Sequence, residues 1–394
     1  MTASRLVSNA MAGHGKALTE TEQLIAGKTG PAQVRAMLDA FPDYGPTPLV
    51  SLAGPAAELG LASVQIKDES GRYGLGSFKA LGGAYAVARL LRAELSKRLG
   101  RDVAPAELLT PEMRAMAAEL TVCCATDGNH GRSVASGARA FGCKCVIYIH
   151  AGVSKGREEA IASFGAEMRR IKGNYDDSVA EARDVAAREG WLLVSDFSSE
   201  GYEEIPGLVM QGYTIMMDEI LAAADQPFTH VFVQAGVGGL AGVVCGYLHD
   251  VLGGKRPVSV VVEPDLAPCI QESAKAGKPI AVPAGASTIM AMLECYEPSL
   301  AAWRILEKTA DHFMLISEDE ALAGLRSLAQ QRDGARGLVI GESGASGFAA
   351  LVVAAKDPTL RATLGLDQNS RVLLIGTEGA TDKAVYEALL KEDA

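Results

Sequence analysis

Lys79 lies in the stretch GLGSFKALGG, residues 74–83, with an aromatic, Phe78, before it and small or apolar residues after it. Held near apolar surface at a loop–helix junction, a lysine loses hydration that favours its ammonium, and the free amine becomes a nucleophile. Ser77 is placed to act as N-cap of the following helix and so fix where the lysine emerges. The competing reading is a snorkelling lysine whose stem lies on the core. Further along, ATDGNHGRS, residues 125–133, runs from a strand through a tight glycine loop into a helix. Such a junction offers backbone N–H groups and the positive end of a helix dipole to an anion, for instance a substrate carboxylate. Asp127 in that loop opposes an anion unless it has its own task, such as carrying a proton. An Asx-turn or an N-cap explains it equally well. Asp196 follows the WLLVS strand, at a carboxyl end where ligands of α/β proteins collect, although an ordinary loop aspartate is the alternative.

The other strong chemical signal is THVFVQAGVGG, where Gly236, Gly238 and Gly239 come directly after a strand and before a helix. Successive backbone N–H groups there form a nest suited to a phosphate. A dinucleotide site fits less well, because GxGG is not GxGxxG and the acidic residue about 20 positions on is poorly placed. Near the C-terminus, RVLLIGTEGATD puts Thr377, Glu378 and Gly379 at another strand end, and GESGA repeats the glycine-loop theme around Glu342 and Ser343.

These groups need strands and helices to hold them. SVQIKDES alternates as a strand leading to Lys79, and a long helix is expected from Ala80 to about Leu99. TVCCAT, CVIYIHAG, EMRRIKG and WLLVS then alternate with helical stretches of 10–15 residues, the pattern of a parallel, doubly wound sheet. Gly142 reads as the glycine that ends the helix after GNHG. The boundaries expected are residues 1–85 and 197–394 for a large domain and 86–196 for a smaller inserted one.

Composition narrows the class. The chain has 394 residues, 48% hydrophobic with 43 glycines, and a formal net charge of −11. That describes a glycine-rich α/β enzyme with no basic stripe for nucleic acid. No apolar run reaches the ~18 residues of a membrane span, and the N-terminus lacks a secretory core, so a cytoplasmic protein is expected. The seven cysteines form no CxxC pair, which argues against a zinc site or a disulfide framework. Cys143 and Cys145 should share one face of a strand, while Cys269 and Cys295 are expected to approach each other near the site entrance.

A loop-borne lysine, a phosphate-sized glycine nest and strand-end polar groups together suit pyridoxal 5'-phosphate. The motifs SFKALGG, ATDGNHGR, SDFSSEGYEEIPG with MQGY, QAGVGG, VEP with APC, STIMA, GESGA and GTEGATD resemble those of the fold-type II, or tryptophan-synthase-β-like, pyridoxal-phosphate enzymes. Among these the chain looks most like the ammonia-lyases that act on 2,3-diaminopropionate, over about residues 40–385. The resemblance implies a large and a small α/β domain, a small amino-acid substrate and a homodimer. It implies that Lys79 is the Schiff-base lysine, that Phe78 flanks the cofactor ring, and that Asn129 bonds the 3'-oxygen. Gly236, Val237, Gly238 and Gly239 would bind the phosphate, and the Thr377 hydroxyl would face the pyridine nitrogen as a neutral partner. Ser77, Thr126, Asp127 and Asp196 would meet the substrate, with Lys79, Asp127 and Asp196 as the catalytic set. Two bases, Lys79 and Asp127, on opposite faces of the ring would account for acceptance of both enantiomers. A serine/threonine dehydratase-like or cysteine-synthase-like lyase is the nearest rival, although the dehydratases carry serine where Asp127 stands. A non-catalytic cofactor-binding protein is a more distant one. One stretch departs from the pattern: MLECYEP, with Met292, Glu294 and Tyr296, replaces a small GLxCGEP-like segment. If that loop lines the pocket, the substrate is a larger or differently charged β-substituted alanine; the alternative is that these side chains point away.

Overall fold

The structure, a computed structural model, describes residues 4–38, 44–126, 128–330 and 337–391. Asp127 lies outside the described residues. Two compact units emerge, one from Met1–Lys28, Pro46–Gly71 and Met216–Ala394, the other from Thr29–Gly45 and Arg72–Ile215.

Strands β1 (Leu6–Ser8), β2 (Leu49–Ser51) and β3 (Ser63–Asp68) belong to the first unit. Strands β4 (Thr121–Ala125), β5 (Lys144–Ile149), β6 (Glu167–Arg170) and β7 (Leu192–Leu193) form the second unit's sheet. The first unit resumes with β8 (His230–Gln234), β9 (Val258–Pro264), β10 (His312–Ile316) and β11 (Arg371–Gly376).

In the first unit the strand order is β1-β10-β9-β8-β11-β3-β2. The five inner strands run parallel and the two edge strands antiparallel. Phe232 on β8 is level with Leu374 on β11 and Val260 on β9. Alternate residues Val64, Ile66, Phe232, Val260, Val262, Val372 and Leu374 join Phe348 and Leu351 of the Ser346–Lys356 helix in one apolar layer. The intervening Val231, Val233, Val261, Leu373 and Ile375 are just as buried and turn to the other face by strand alternation. Near-continuous apolar runs of this kind mark parallel strands covered on both sides. Their carboxyl ends are where Gln234, the glycine nest and Thr377 emerge.

The second unit's sheet, β6-β5-β4-β7, is parallel throughout. Cys123, Val146 and Tyr148 pack there with Ala182, Val185 and Ala186 of the Tyr175–Glu189 helix. Cys143 and Cys145 are buried. Gly142 ends the Asn129–Phe141 helix in the left-handed conformation, φ 82°, which a glycine adopts without strain.

The unit boundaries differ from 85/86 and 196/197. Lys79 and its helix, Lys79–Leu99, belong to the second unit, because they pack on the Asn129–Phe141, Glu204–Gly212 and Gly30–Leu38 helices. Gly82 and Gly83 allow this approach. A Cβ on Gly82 would lie 2.5 Å from the Tyr213 ring, and one on Gly83 2.7 Å from Ser133 Oγ. The Ser133 hydroxyl ties two of these helices together, accepting from Ala84 N at 3.0 Å and donating to Ala80 O at 3.2 Å. Local sequence could not reveal this, since all the partners are distant in the chain.

The cap is also different. Phe78, already helical at φ −56° and ψ −26°, occupies the N-cap position with no side-chain bond. Ser77 therefore falls one residue too early, and its carbonyl, not its hydroxyl, accepts the Ala80 N–H at 3.2 Å.

Candidate active site

Within the second unit, the Lys79 amine donates to Asp196 Oδ2 at 2.6 Å, a contact spanning 117 residues of sequence. The amine expected to lie against apolar surface instead meets a carboxylate. Asp196 sits in the loop after β7, and Tyr202 braces that loop by donating its phenol to Leu193 O at 2.8 Å. The same phenol oxygen accepts from Ser195 N at 3.3 Å. Burial pushes the Asp196 carboxyl up, but His130 and Lys79 outweigh it and hold the group well below the usual aspartate range.

His130 is a member of this cluster that sequence reasoning passed over. Its Nε2 lies 2.8 Å from Val194 O. A carbonyl only accepts, so Nε2 carries a proton. The other ring nitrogen, Nδ1, is buried without a hydrogen-bond partner and faces Asp196 Oδ2 at 3.8 Å. The available signal was a histidine beside Asn129 in a glycine loop, but its partner is set by the position of the β7 loop.

Around these groups, Phe78 is buried edge-on to Tyr213, ring centroids 4.8 Å apart. Ser77 is buried as well. Thr126 Oγ1 accepts from the backbone N–H groups of Gly128 and Gly131, both at 3.1 Å. Two of the donors expected to receive an anion are therefore already occupied. Asn129 opens its helix at 6% exposure.

In the first unit, β8 runs into Gly236–Gly239, and Gly238 stands as N-cap of the Gly239–Leu252 helix. Gly238 has φ +96°, and a Cβ there would also press on Ile270, Leu306 and Ala302 at 3.1–3.3 Å. No side chain caps this helix, so its first-turn N–H groups are left for a ligand. Gly236 is flanked by both cysteines singled out above. A Cβ on it would lie 2.9 Å from Cys295 Sγ, and Cys269 Sγ lies 3.8 Å from its carbonyl. Neither cysteine is in a disulfide. Burial and the neighbouring Glu263 push the Cys269 thiol up.

Thr377 follows β11 and is 2% exposed. Gln234 Nε2 lies 3.0 Å from its Oγ1, and the hydroxyl donates to Glu378. The divergent loop is braced from within. Glu294 accepts from Thr288 N at 3.2 Å, Ser287 Oγ at 3.3 Å and the Tyr296 phenol at 2.9 Å. Met292 N donates to Ser343 Oγ at 3.1 Å. The added charge and bulk of Glu294 and Tyr296 thus hold the loop's own shape.

In the first unit, an uncapped helix start and glycines where a Cβ would intrude fit a phosphate group. Residues 40–378 match the family described as pyridoxal-phosphate dependent enzyme, and the chain belongs to that family. Its relatives narrow the class. The chain is 40% identical to diaminopropionate ammonia-lyase of Salmonella typhimurium, over 96% of this chain and 95% of that one. It also superposes on the Escherichia coli diaminopropionate ammonia lyase in complex with an aminoacrylate-PLP azomethine reaction intermediate. The TM-score is 0.87 at 35% identity, covering 98% and 96% of the two chains. A second structure of that enzyme, in complex with D-serine, matches equally, with TM-score 0.87. The fold is that of the fold-type II pyridoxal-phosphate enzymes, as expected from the motifs. Among the described residues, no helix is long and apolar enough to cross a membrane, and no group of three or more His, Cys, Asp or Glu could hold a metal.

Proposed function

We propose that this enzyme converts 2,3-diaminopropionate, with water, to pyruvate and two molecules of ammonia by α,β-elimination. The observation that carries the reading is 40% identity over 96% of the chain to a diaminopropionate ammonia-lyase. The Lys79–Asp196 pair supplies chemistry of the right kind. Bound pyridoxal phosphate supplies the electron sink that eases loss of the Cα proton and of the β-substituent. Lys79 holds the cofactor covalently and, once displaced by the substrate amine, moves the proton at Cα. Asp127 is the second acid/base, serving the other enantiomer. Asp196 orients the Lys79 amine and offers negative charge to a β-ammonium. His130 holds Asp196 in turn.

Gly236, Val237, Gly238 and Gly239 grip the phosphate through backbone N–H groups. Asn129 donates to the ring 3'-oxygen, Phe78 packs beside the ring, and Thr377 meets the pyridine nitrogen. Ser77 and Thr126 shape the place of the substrate carboxylate. The first unit is the larger, cofactor-gripping domain, and the enzyme is a cytoplasmic homodimer.

The test is a panel of β-substituted alanines, with released ammonia and keto acid measured for each. Rapid release of both from diaminopropionate supports the proposal. Activity confined to threonine, yielding 2-oxobutyrate, would reassign the enzyme as a dehydratase. No turnover of any β-substituted amino acid would point to a binding protein.

A further inference from the structure

The second unit has a surface cavity of about 370 Å³ at the amino end of its sheet. Lys79 meets Asp196 at the opposite, carboxyl end of these strands. Ala135, Ala138 and Arg139 of the Asn129–Phe141 helix form one wall, and Cys143 and Cys145 at the start of β5 form another. Phe164, just past the Lys155–Ala162 helix, closes a third side. Strand alternation turns both thiols to one face. Burial pushes them up, Cys143 to about 12, so both stay uncharged near neutral pH. The Arg139 guanidinium lies over the Phe164 ring, 4.8 Å from its centroid. That contact holds the charge in place and leaves N–H groups around the rim of the guanidinium plane. Gly142 and Gly165, at φ 82° and 87°, bring backbone to the cavity's edge where a side chain would crowd it. The carbonyls there are already used, since Ala138 O accepts from Gly142 N and Ala162 O from Gly165 N, both at 2.8 Å. The Ser163 hydroxyl proton is spent as well, on Ala160 O at 2.8 Å.

We propose that this cavity binds a small monocarboxylic acid with an apolar body, its carboxylate on the Arg139 guanidinium and its body against Ala135, Ala138 and the two thiols. Among the described residues that line the cavity, Arg139 alone is charged, so the ligand's head is an anion. Paired guanidinium N–H groups match the two oxygens of a carboxylate. Alanine methyls and protonated thiols make an apolar floor with only weak hydrogen-bonding capacity. A ligand rich in hydroxyls would lose its water there without replacement. The volume is at the small end of the range for ligand pockets. Arg139 is ten residues beyond Asn129, about 15 Å along the helix axis, so the ligand does not share the place of the substrate.

The experiment is a titration of the holoenzyme, labelled with 13C at its alanine methyls, with benzoate as the probe and NMR as the readout. Benzoate should shift the Ala135 and Ala138 methyls saturably, with a dissociation constant on the order of 1 mM for a probe of this size. Benzamide has the same ring without the charge, and sulfate has charge without an apolar body. Each should bind about tenfold or more weakly than benzoate. Arg139→Gln should weaken benzoate by about tenfold or more and leave elimination activity unchanged, because Arg139 is outside the proposed catalytic set. No saturable shift at either methyl overturns the proposal. Equal shifts with benzamide show that charge does not select the ligand, and equal shifts with sulfate show a bare anion site; either outcome overturns it. Benzoate affinity unchanged in Arg139→Gln overturns it too. Should that variant fail to fold, the three probes on the wild-type enzyme decide alone.

Discussion

The two units carry their chemistry in different materials. The first unit offers mostly backbone: a glycine nest after β8, an uncapped helix start, and a hydroxyl whose partners are buried. The second offers charged or titratable side chains: an amine, a carboxylate and an imidazole drawn from two helices and a loop. Backbone N–H groups do not titrate, and their positions are set by strand register, which suits a cofactor that must stay in place. Side chains that exchange protons need neighbours that shift their charge, and these come from different parts of the chain. Under the proposed function, gripping and reacting thus fall to different materials.

Removing the reacting amine is the most severe way to break this division. Lys79→Ala should abolish the visible absorbance of the lysine-bound cofactor and lower elimination by about 10³-fold or more. Retained phosphate-dependent binding of the cofactor would show that the glycine nest acts on its own. Asp196→Asn comes next. It leaves the nest intact but removes the charge beside Lys79, so kcat should fall by about 10²-fold with cofactor affinity nearly unchanged. A matching loss of affinity would blur the contrast between the units.

The same substitution has a pH signature. Because the Asp196 carboxyl is held below its ordinary value, its contribution to stability is fully present above the ordinary aspartate pKa of about 3.9. It is lost only as pH falls through the depressed folded value. Urea melts should show the wild-type advantage over Asp196→Asn constant between pH 8 and 5 and shrinking only in strong acid. An advantage that disappears near pH 6 would contradict the pairing.

In the first unit, Gly238→Ala places a Cβ on a residue at φ +96°, where it would press on three side chains. It should cost about 1–3 kcal/mol and weaken cofactor binding by about tenfold in a titration, with kcat at saturation little changed. The smallest effect is expected from Glu294→Gln. That loop brace is worth about 1 kcal/mol, so a slightly lower Tm with unchanged KM is expected. A large change in KM would return the loop to the substrate pocket.

Much of this was readable in advance because it depends on short-range rules. The strand–glycine–helix succession at Gly236–Gly239 and the helix closed by Gly142 are local. So is the alternation of strands and helices that requires a parallel sheet. Where the reading missed, the cause lay further off. Ser77 was expected to cap the helix, but packing against distant helices starts it with Phe78 already helical. The compact units divide elsewhere than at 85/86 for the same reason, since Gly82 and Gly83 admit partners that no local pattern names.

The sequence by itself determined which residues could bind phosphate, act as nucleophile or end a strand, because backbone freedom and side-chain chemistry belong to each residue and its immediate neighbours. Only the tertiary structure decided which charge meets which. Asp196 reaches Lys79 across 117 residues, and Gln234 reaches Thr377 across 143. Such pairings depend on how strand ends and helices are brought together. Electrostatic and hydrogen-bond energies act over a few ångströms of space, whatever the distance along the chain.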